Sequence, residues 1–242
     1  MDDFPFIQFV IREIDELRRR LLICLAALAL VSGLMIGFPS WEHSWALQLL
    51  SALQSRLLPE GVHLVYLNPL EPMAIALKFS VSVSFMLCLP LLIWHFTAFT
   101  LPAFSEGMRG FYLKFTLLSV AFIAAGLFLT YEFMLPLTLK MLLAYGQAAG
   151  GVPMLTFERF YSFCLVVLFA FALPFETPLV MGFLQRFNIV EAKTFRAIRL
   201  KAYGVIMIVS QFVTPDPLLT PTIFCAVSFV LYEIGILMGS WL

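Results

Sequence analysis

The run LLICLAALALVSGLMIGF, residues 21–38, carries no charge over a length that can cross a bilayer, since a spanning helix needs roughly 17–25 apolar residues. Comparable runs recur at about Met73–Phe99, Phe111–Leu135 and Phe160–Leu184, and two shorter ones at about Leu200–Val213 and Thr222–Leu242. The turn between the last two holds Thr214-Pro215-Asp216-Pro217 and Pro221. A soluble chain needs a polar skin, and this one has 62% hydrophobic and 12% charged residues, against roughly 45–50% and 25% in soluble domains. The pattern predicts an all-α integral membrane protein with six transmembrane helices, in one domain over residues 1–242.

Arg18, Arg19 and Arg20 before the first run look like the basic end of a signal peptide. Pro39, Ser40 and Trp41 follow it where a small-x-small cleavage site would stand, so the run is read as a retained span. Orientation comes from the basic residues. With the N-terminus inside, eleven Lys and Arg fall on inner segments (Arg12, the Arg18–Arg20 triplet, Arg109, Lys114, Arg186, Lys193, Arg196, Arg199, Lys201) and three on outer ones (Arg56, Lys140, Arg159). Both termini are therefore expected in the cytoplasm. Lys78 lies within the second span, near enough to its outer end to snorkel. Outer loops are expected at 39–72 and 136–159 and inner loops at 100–110 and 185–199. The stretch WALQLLSALQSRLL (45–58) is amphipathic enough to lie along the outer surface. The fifth span, about 14 residues or roughly 21 Å, is short for a hydrocarbon core near 30 Å.

Several function classes drop out. A zero formal net charge makes no case for nucleic acid. Cys24, Cys88, Cys164 and Cys225 lie in apolar runs without metal-ligand spacing and read as small hydrophobes. There is no G-x-S-x-G motif, no P-loop and no cluster among His43, His63 and His95. No enzymatic activity, cofactor or metal is expected, and no catalytic residue is assigned. Transport without an internal nucleotide engine remains.

Three polar groups inside the runs need a reason. Glu176, in ALPFETP, lies about 12 Å deep between two prolines that cannot donate to the carbonyls of Ala170 and Pro174. Freed carbonyls beside a carboxylate bend the helix and belong in a wet recess or under protein, not against lipid. The alternative is a protonated, hydrogen-bonded structural Glu. Glu233, in VLYEIG, either pairs with a neighbouring span or forms a polar interface with another membrane protein. Glu132, near the outer end of the third span, reads as interfacial.

In FPFIQFVIREIDELRRRLL the residues Ile7, Val10, Ile14, Leu17 and Leu21 recur at steps of three and four. This is one stripe of an amphipathic helix over residues 1–20, lying on the inner membrane surface. Glu13 and Glu16 share another face, where two carboxylates can receive paired guanidinium groups. An ordinary helix with Asp15–Arg19 and Glu16–Arg20 pairs fits the same spacing.

Taken in order, the motifs resemble the TatC family, the multispanning receptor of the twin-arginine protein translocase. DELRRRLL (15–22) is similar to that family's opening H-L-x-E-L-R-x-R-L, with Glu13 in place of the His. NPLEP (68–72) resembles its first outer loop, and PLLIWHFTAFTLPAF (90–104) its first inner loop. FETP (175–178) is similar to its F-E-x-P. TPDP (214–217) and LYE (231–233) resemble its last turn and last helix.

The resemblance implies a non-enzymatic receptor that binds twin-arginine signal peptides of folded cargo at the cytoplasmic face. It also implies small single-span partners of the TatA/TatB type, export driven by the proton-motive force, and a homo-oligomer within a larger complex. Carried over by position, Glu16 faces the signal arginines with Arg18 beside it, and Glu13 adds a carboxylate. Phe99 and Pro102 shape the first inner loop, and Glu106 stands two residues before the family's second signal-binding Glu, where this chain has Met108. Glu176 becomes a polar group in a concave face of bent helices, Glu233 a second intramembrane acid, and Asp216 part of the outer-face turn. The short final spans match the family's partner-docking side. The location implied is a bacterial or archaeal cytoplasmic membrane. A proton-coupled carrier of a small solute, with Glu176 titrating, is the alternative that residue chemistry alone leaves open. A scaffold whose polar groups only hold helices together is a third.

Overall fold

The structure is a computed structural model describing residues 5–59, 62, 64–100, 109–151, 154–214 and 219–239, with the side chains of residues 5–13, 41, 96–100, 109 and 112 excepted. Helix α1 runs unbroken over Pro5–Gly37. Pro5 suits a first helical position, and neither Pro nor Gly occurs again before Gly33. The backbone therefore has no break at Leu21, where the sequence reading separates a surface helix from a span. Ile14, Leu17 and Leu21 of the apolar stripe are exposed. A 3-10 turn at Trp41–His43 leads into α2, Trp45–Leu57, where the amphipathic outer helix was expected.

The NPLEP motif starts the next helix. Asn68 Oδ1 accepts from the Leu70 N–H at 3.0 Å, and the Asn68 carbonyl accepts from Glu71 N–H at 3.0 Å. Helix α3 spans Glu71–Thr100, with Glu71 in the first turn, where the helix dipole favours an anion, and Pro90 inside it.

Helix α4, Arg109–Leu129, continues through a π-helical turn at Thr130–Met134 into α5, Leu135–Ala148. The sequence reading ends this span at Leu135 and places a loop at 136–159; the helix instead persists to Ala148. Pro136 is the physical reason for the π turn. It has no N–H for the carbonyl of Glu132 and its ring crowds that carbonyl. The turn widens so that Leu135 N–H reaches the Thr130 carbonyl, five residues back.

Two short strands, β1 (Leu64–Val65) and β2 (Leu155–Thr156), pair in parallel. They are a small addition to a chain otherwise helical among the described residues. Helix α6 covers Phe157–Ala172 with Thr156 as its N-cap. Beyond it a 3-10 turn, Leu173–Glu176, passes into α7, Thr177–Arg186. The expected loop 185–199 contains a short helix, α8 (Ala192–Ala197), and its last residue opens α9, Arg199–Val213. Helix α10 covers Leu219–Met238.

Among the described residues, five helical segments are long and apolar enough to cross a membrane: Ile14–Gly37, Glu71–His95, Leu113–Ala148, Phe157–Arg186 and Leu219–Met238. Helix α9 has 15 residues, about 22 Å, and falls short of that length.

The contacts divide the chain into two units. The first comprises residues 1–48 and 76–116. Its interior holds Cys24, Met35, Phe79, Met86, Cys88 and Phe115, and Phe38 meets Trp45 edge-on at 5.0 Å. The second comprises residues 49–75 and 117–242. Helix α6 supplies much of its centre, burying Phe160, Tyr161, Cys164, Leu165, Val167, Leu168 and Phe171. Phe171 meets Phe224 of α10 edge-on at 5.2 Å. Helix α10 packs along α7 with Gly235 against Met181 and Gly239 against Gln185, so close that an added Cβ would come within 2.6 Å and 2.4 Å of those side chains. Small residues four apart let membrane helices approach in this way.

Candidate functional site

Glu176 sits in the second unit at the one place where the fourth span leaves α-helical geometry. Pro174 removes the N–H that would reach Ala170, and the chain tightens to 3-10. Thr177 N–H then reaches the carbonyl of Pro174, three residues back. The expected disruption at the two prolines is present in that form.

The turn is seated on α4 at two points along one stripe. Ser119 Oγ donates to Glu176 Oε1 at 3.0 Å. Seven residues on, Gly126 leaves room for the Phe175 ring, which a Cβ there would approach to 2.9 Å. Glu176 is 8% exposed and Ser119 wholly buried. Glu176 Oε2 is buried and meets no hydrogen-bond partner among the described residues. A buried carboxyl with one oxygen unmatched is costly, and inside a membrane span such a group is a functional candidate by default.

Glu233 on α10 pairs with the neighbouring helix α9. Arg199 Nη2 donates to Oε2 at 2.6 Å and Tyr203 Oη to Oε1 at 2.5 Å. Both donors are on α9, four residues apart on one face. The adjacent Tyr232 donates to the carbonyl of Phe195 in α8 at 2.9 Å. Together these bonds pin the α8–α9 segment to the last helix.

In the first unit, Glu16 on α1 holds Arg20. The guanidinium donates to Oε1 twice, from Nε at 2.9 Å and Nη2 at 2.5 Å. The i, i+4 pair that spacing allowed is thus formed, and Glu16 remains partly exposed. Arg18 is exposed. The Glu13 and Phe99 side chains, and Pro102, Glu106 and Asp216 altogether, lie outside the described residues.

Other contacts had no counterpart in the sequence reading. Arg56 of α2 pairs with Glu132 of the π turn and lies over the Tyr131 ring at 4.7 Å, so Glu132 is bound to protein. Tyr161 Oη donates to the carbonyl of Leu50 at 2.9 Å in the interior. Gln185 Nε2 donates to the carbonyl of Gly235 at 2.8 Å. The G-x-x-x-G spacing of 235–239 was the legible signal for the last of these. Arg56 and Tyr161 find partners far away in sequence, which local spacing does not encode. Among the described residues no group of His, Cys, Asp and Glu is placed to hold a metal ion.

These features define a class: a multi-pass helical membrane protein whose intramembrane acids are held by neighbouring helices. The family described as Sec-independent protein translocase protein (TatC) matches residues 13–228, and the chain belongs to the TatC family. Among curated relatives, TatC of Aquifex aeolicus is 28% identical over 93% of this chain and 92% of its own length. TatCy of Bacillus subtilis is 27% identical over 96% and 88%. A crystal structure of the twin-arginine translocase receptor TatC in DDM superposes with a TM-score of 0.78 at 29% identity, covering 94% of this chain and 99% of that one. The chain is therefore a component of the Sec-independent protein translocase, which works with partner proteins, and a multi-pass protein of the bacterial or archaeal cytoplasmic membrane.

Proposed function

We propose that this chain is the receptor and core subunit of its translocase, binding twin-arginine signal peptides at the cytoplasmic face and recruiting single-span partners of the TatA/TatB type. Folded cargo then crosses at the expense of the proton-motive force, and the chain works in several copies within a larger complex. The reading takes α9 as a sixth, short span and places both termini in the cytoplasm. Glu16, Arg18, Glu13 and Glu106 form the signal-binding face, with Phe99 and Pro102 shaping the loop beside it. Glu176 and Glu233 are its intramembrane polar groups, and Asp216 belongs to the outer turn.

The observation that carries this reading is the Glu16–Arg20 pair. Glu16 is partly exposed and both bonds from Arg20 fall on its Oε1, so an incoming guanidinium would exchange with Arg20 for this carboxylate. The relatives' description as twin-arginine translocase receptors supports it. The test is site-specific photo-crosslinking near Glu16 in membranes offered a twin-arginine signal peptide and its twin-lysine version. Crosslinks that favour arginine and vanish in Glu16→Ala are expected. Equal crosslinking of both peptides to an intact protein would overturn the assignment.

A further inference from the structure

Between α9, α10 and the 3-10 turn before α7, within the second unit, lies a cavity of about 520 Å³. Pro174, Val205, Val209 and Phe224 give it apolar walls, Ser228 adds a hydroxyl, and Lys201 stands on its edge. We propose that this cavity holds an acyl chain of an anionic phospholipid, with the phosphate on Lys201.

Charge selects the headgroup. Of the two cations in the first turn of α9, Arg199 is committed to Glu233, whereas Lys201 is exposed and enters no ion pair among the described residues. The cavity thus joins an apolar interior to one uncompensated positive charge. Basic pockets between membrane helices bind anionic headgroups on this principle.

Shape selects a chain over a helix. A helix about 10 Å wide has a cross-section of about 80 Å² and would place roughly one turn in the cavity. Helix length adds a third argument. At 15 residues α9 is shorter than the core it stands in, and Val205 and Val209, which line the cavity, are 58% and 42% exposed. A lipid held beside it covers apolar surface that the neighbouring helices leave open.

The test is native mass spectrometry of the full chain released from detergent, titrated with dioleoyl phosphatidylglycerol and dioleoyl phosphatidylcholine. The first phosphatidylglycerol is expected to bind about five-fold more tightly, the effect of one cation at a membrane surface. Lys201→Gln, at an exposed position that leaves packing intact, should make the two lipids equal. Val205→Trp, which fills the cavity, should weaken both. Equal binding to the unmodified chain, or a preference that survives Lys201→Gln, overturns the proposal. So does a cysteine at Val205 that crosslinks a single-span partner in equal yield from phosphatidylglycerol-rich and phosphatidylglycerol-depleted membranes, which assigns the cavity to protein. No signal peptide takes part, so the result stands apart from the receptor reading.

Discussion

Ser119 and Glu176 are 57 positions apart in sequence and joined by a 3.0 Å hydrogen bond in which the hydroxyl donates to the carboxyl Oε1. The bond fastens the 3-10 turn of the fourth span to α4 in the interior. Ser119→Ala removes the donor and leaves both carboxyl oxygens unmatched, at a cost of about 1–2 kcal/mol. Thermal unfolding in detergent should show a midpoint lower by a few degrees, with Ser119→Thr recovering part of the loss. An unchanged midpoint in Ser119→Ala would mean that the bond contributes nothing.

Glu176→Ala should leave the protein folded and inserted while impairing export of a twin-arginine cargo. Accessibility labelling of the loops reports insertion, and cargo processing reports transport. Normal export by this variant sinks the functional reading of Glu176 and leaves it a structural residue.

The contact of α7 with α10 has no room to spare. Gly235→Val would drive its side chain into Met181, whose Sδ lies 2.6 Å from a Cβ built at that position, and overpacking of this kind costs about 1–3 kcal/mol. Gly204 on α9 is the control, because a Cβ there meets nothing within 4 Å. Gly204→Ala should be neutral or stabilising by up to about 1 kcal/mol. Melting curves of the two variants should move in opposite directions or by clearly different amounts.

Glu233→Ala removes the acceptor of Arg199 and Tyr203. Arg199 and Glu233 side chains are 44% and 39% exposed, so the ion pair itself is worth no more than about 1 kcal/mol. The readout is local: hydrogen exchange across residues 199–206 should quicken in Glu233→Ala and much less in Glu233→Gln, which still accepts from Tyr203. Equal protection in both variants would show that apolar packing alone holds α9.

Tyr161→Phe keeps the ring and loses the hydroxyl that reaches the Leu50 carbonyl, about 1 kcal/mol. The expected consequence is faster hydrogen exchange in α2, with α6 itself unchanged. Uniform loss of protection across both helices would point to a global effect instead.

Much of this architecture is legible in the sequence for reasons that can be named. Apolar runs of membrane length with few charges need no tertiary context to be read, and α9 and α10 were separable because prolines stand between them. Pro174 and Pro178 announce a disturbed helix because a missing N–H acts locally, and the structure answers with a 3-10 turn. Pro136 shows the limit of the same logic. A proline beside an apolar run reads equally as an end, yet here one wide π turn absorbs it and the helix goes on to Ala148. The Glu16–Arg20 pair was available from i, i+4 spacing alone. For Glu233, the α-helical period places Arg199 and Tyr203 on one face of α9. Only the register of α9 against α10 says which acid they meet, and no local pattern carries that register. Ser119 gave no signal at all, since one serine in an apolar helix is unremarkable until its partner is known.

The brevity of α9 has a consequence for how the polypeptide is made. A 15-residue helix opening with Arg199 and Lys201 is too short and too polar at one end to leave the insertion machinery for lipid unaided. Its counter-charge, Glu233, lies in α10 and is synthesised later. On the proposed reading of α9 as a sixth span, α10 supplies the partner that Arg199 meets, so the two helices are expected to settle in the bilayer as a pair. A nascent chain halted before Glu233 emerges is then expected to leave Arg199 without the acid it meets in the finished fold.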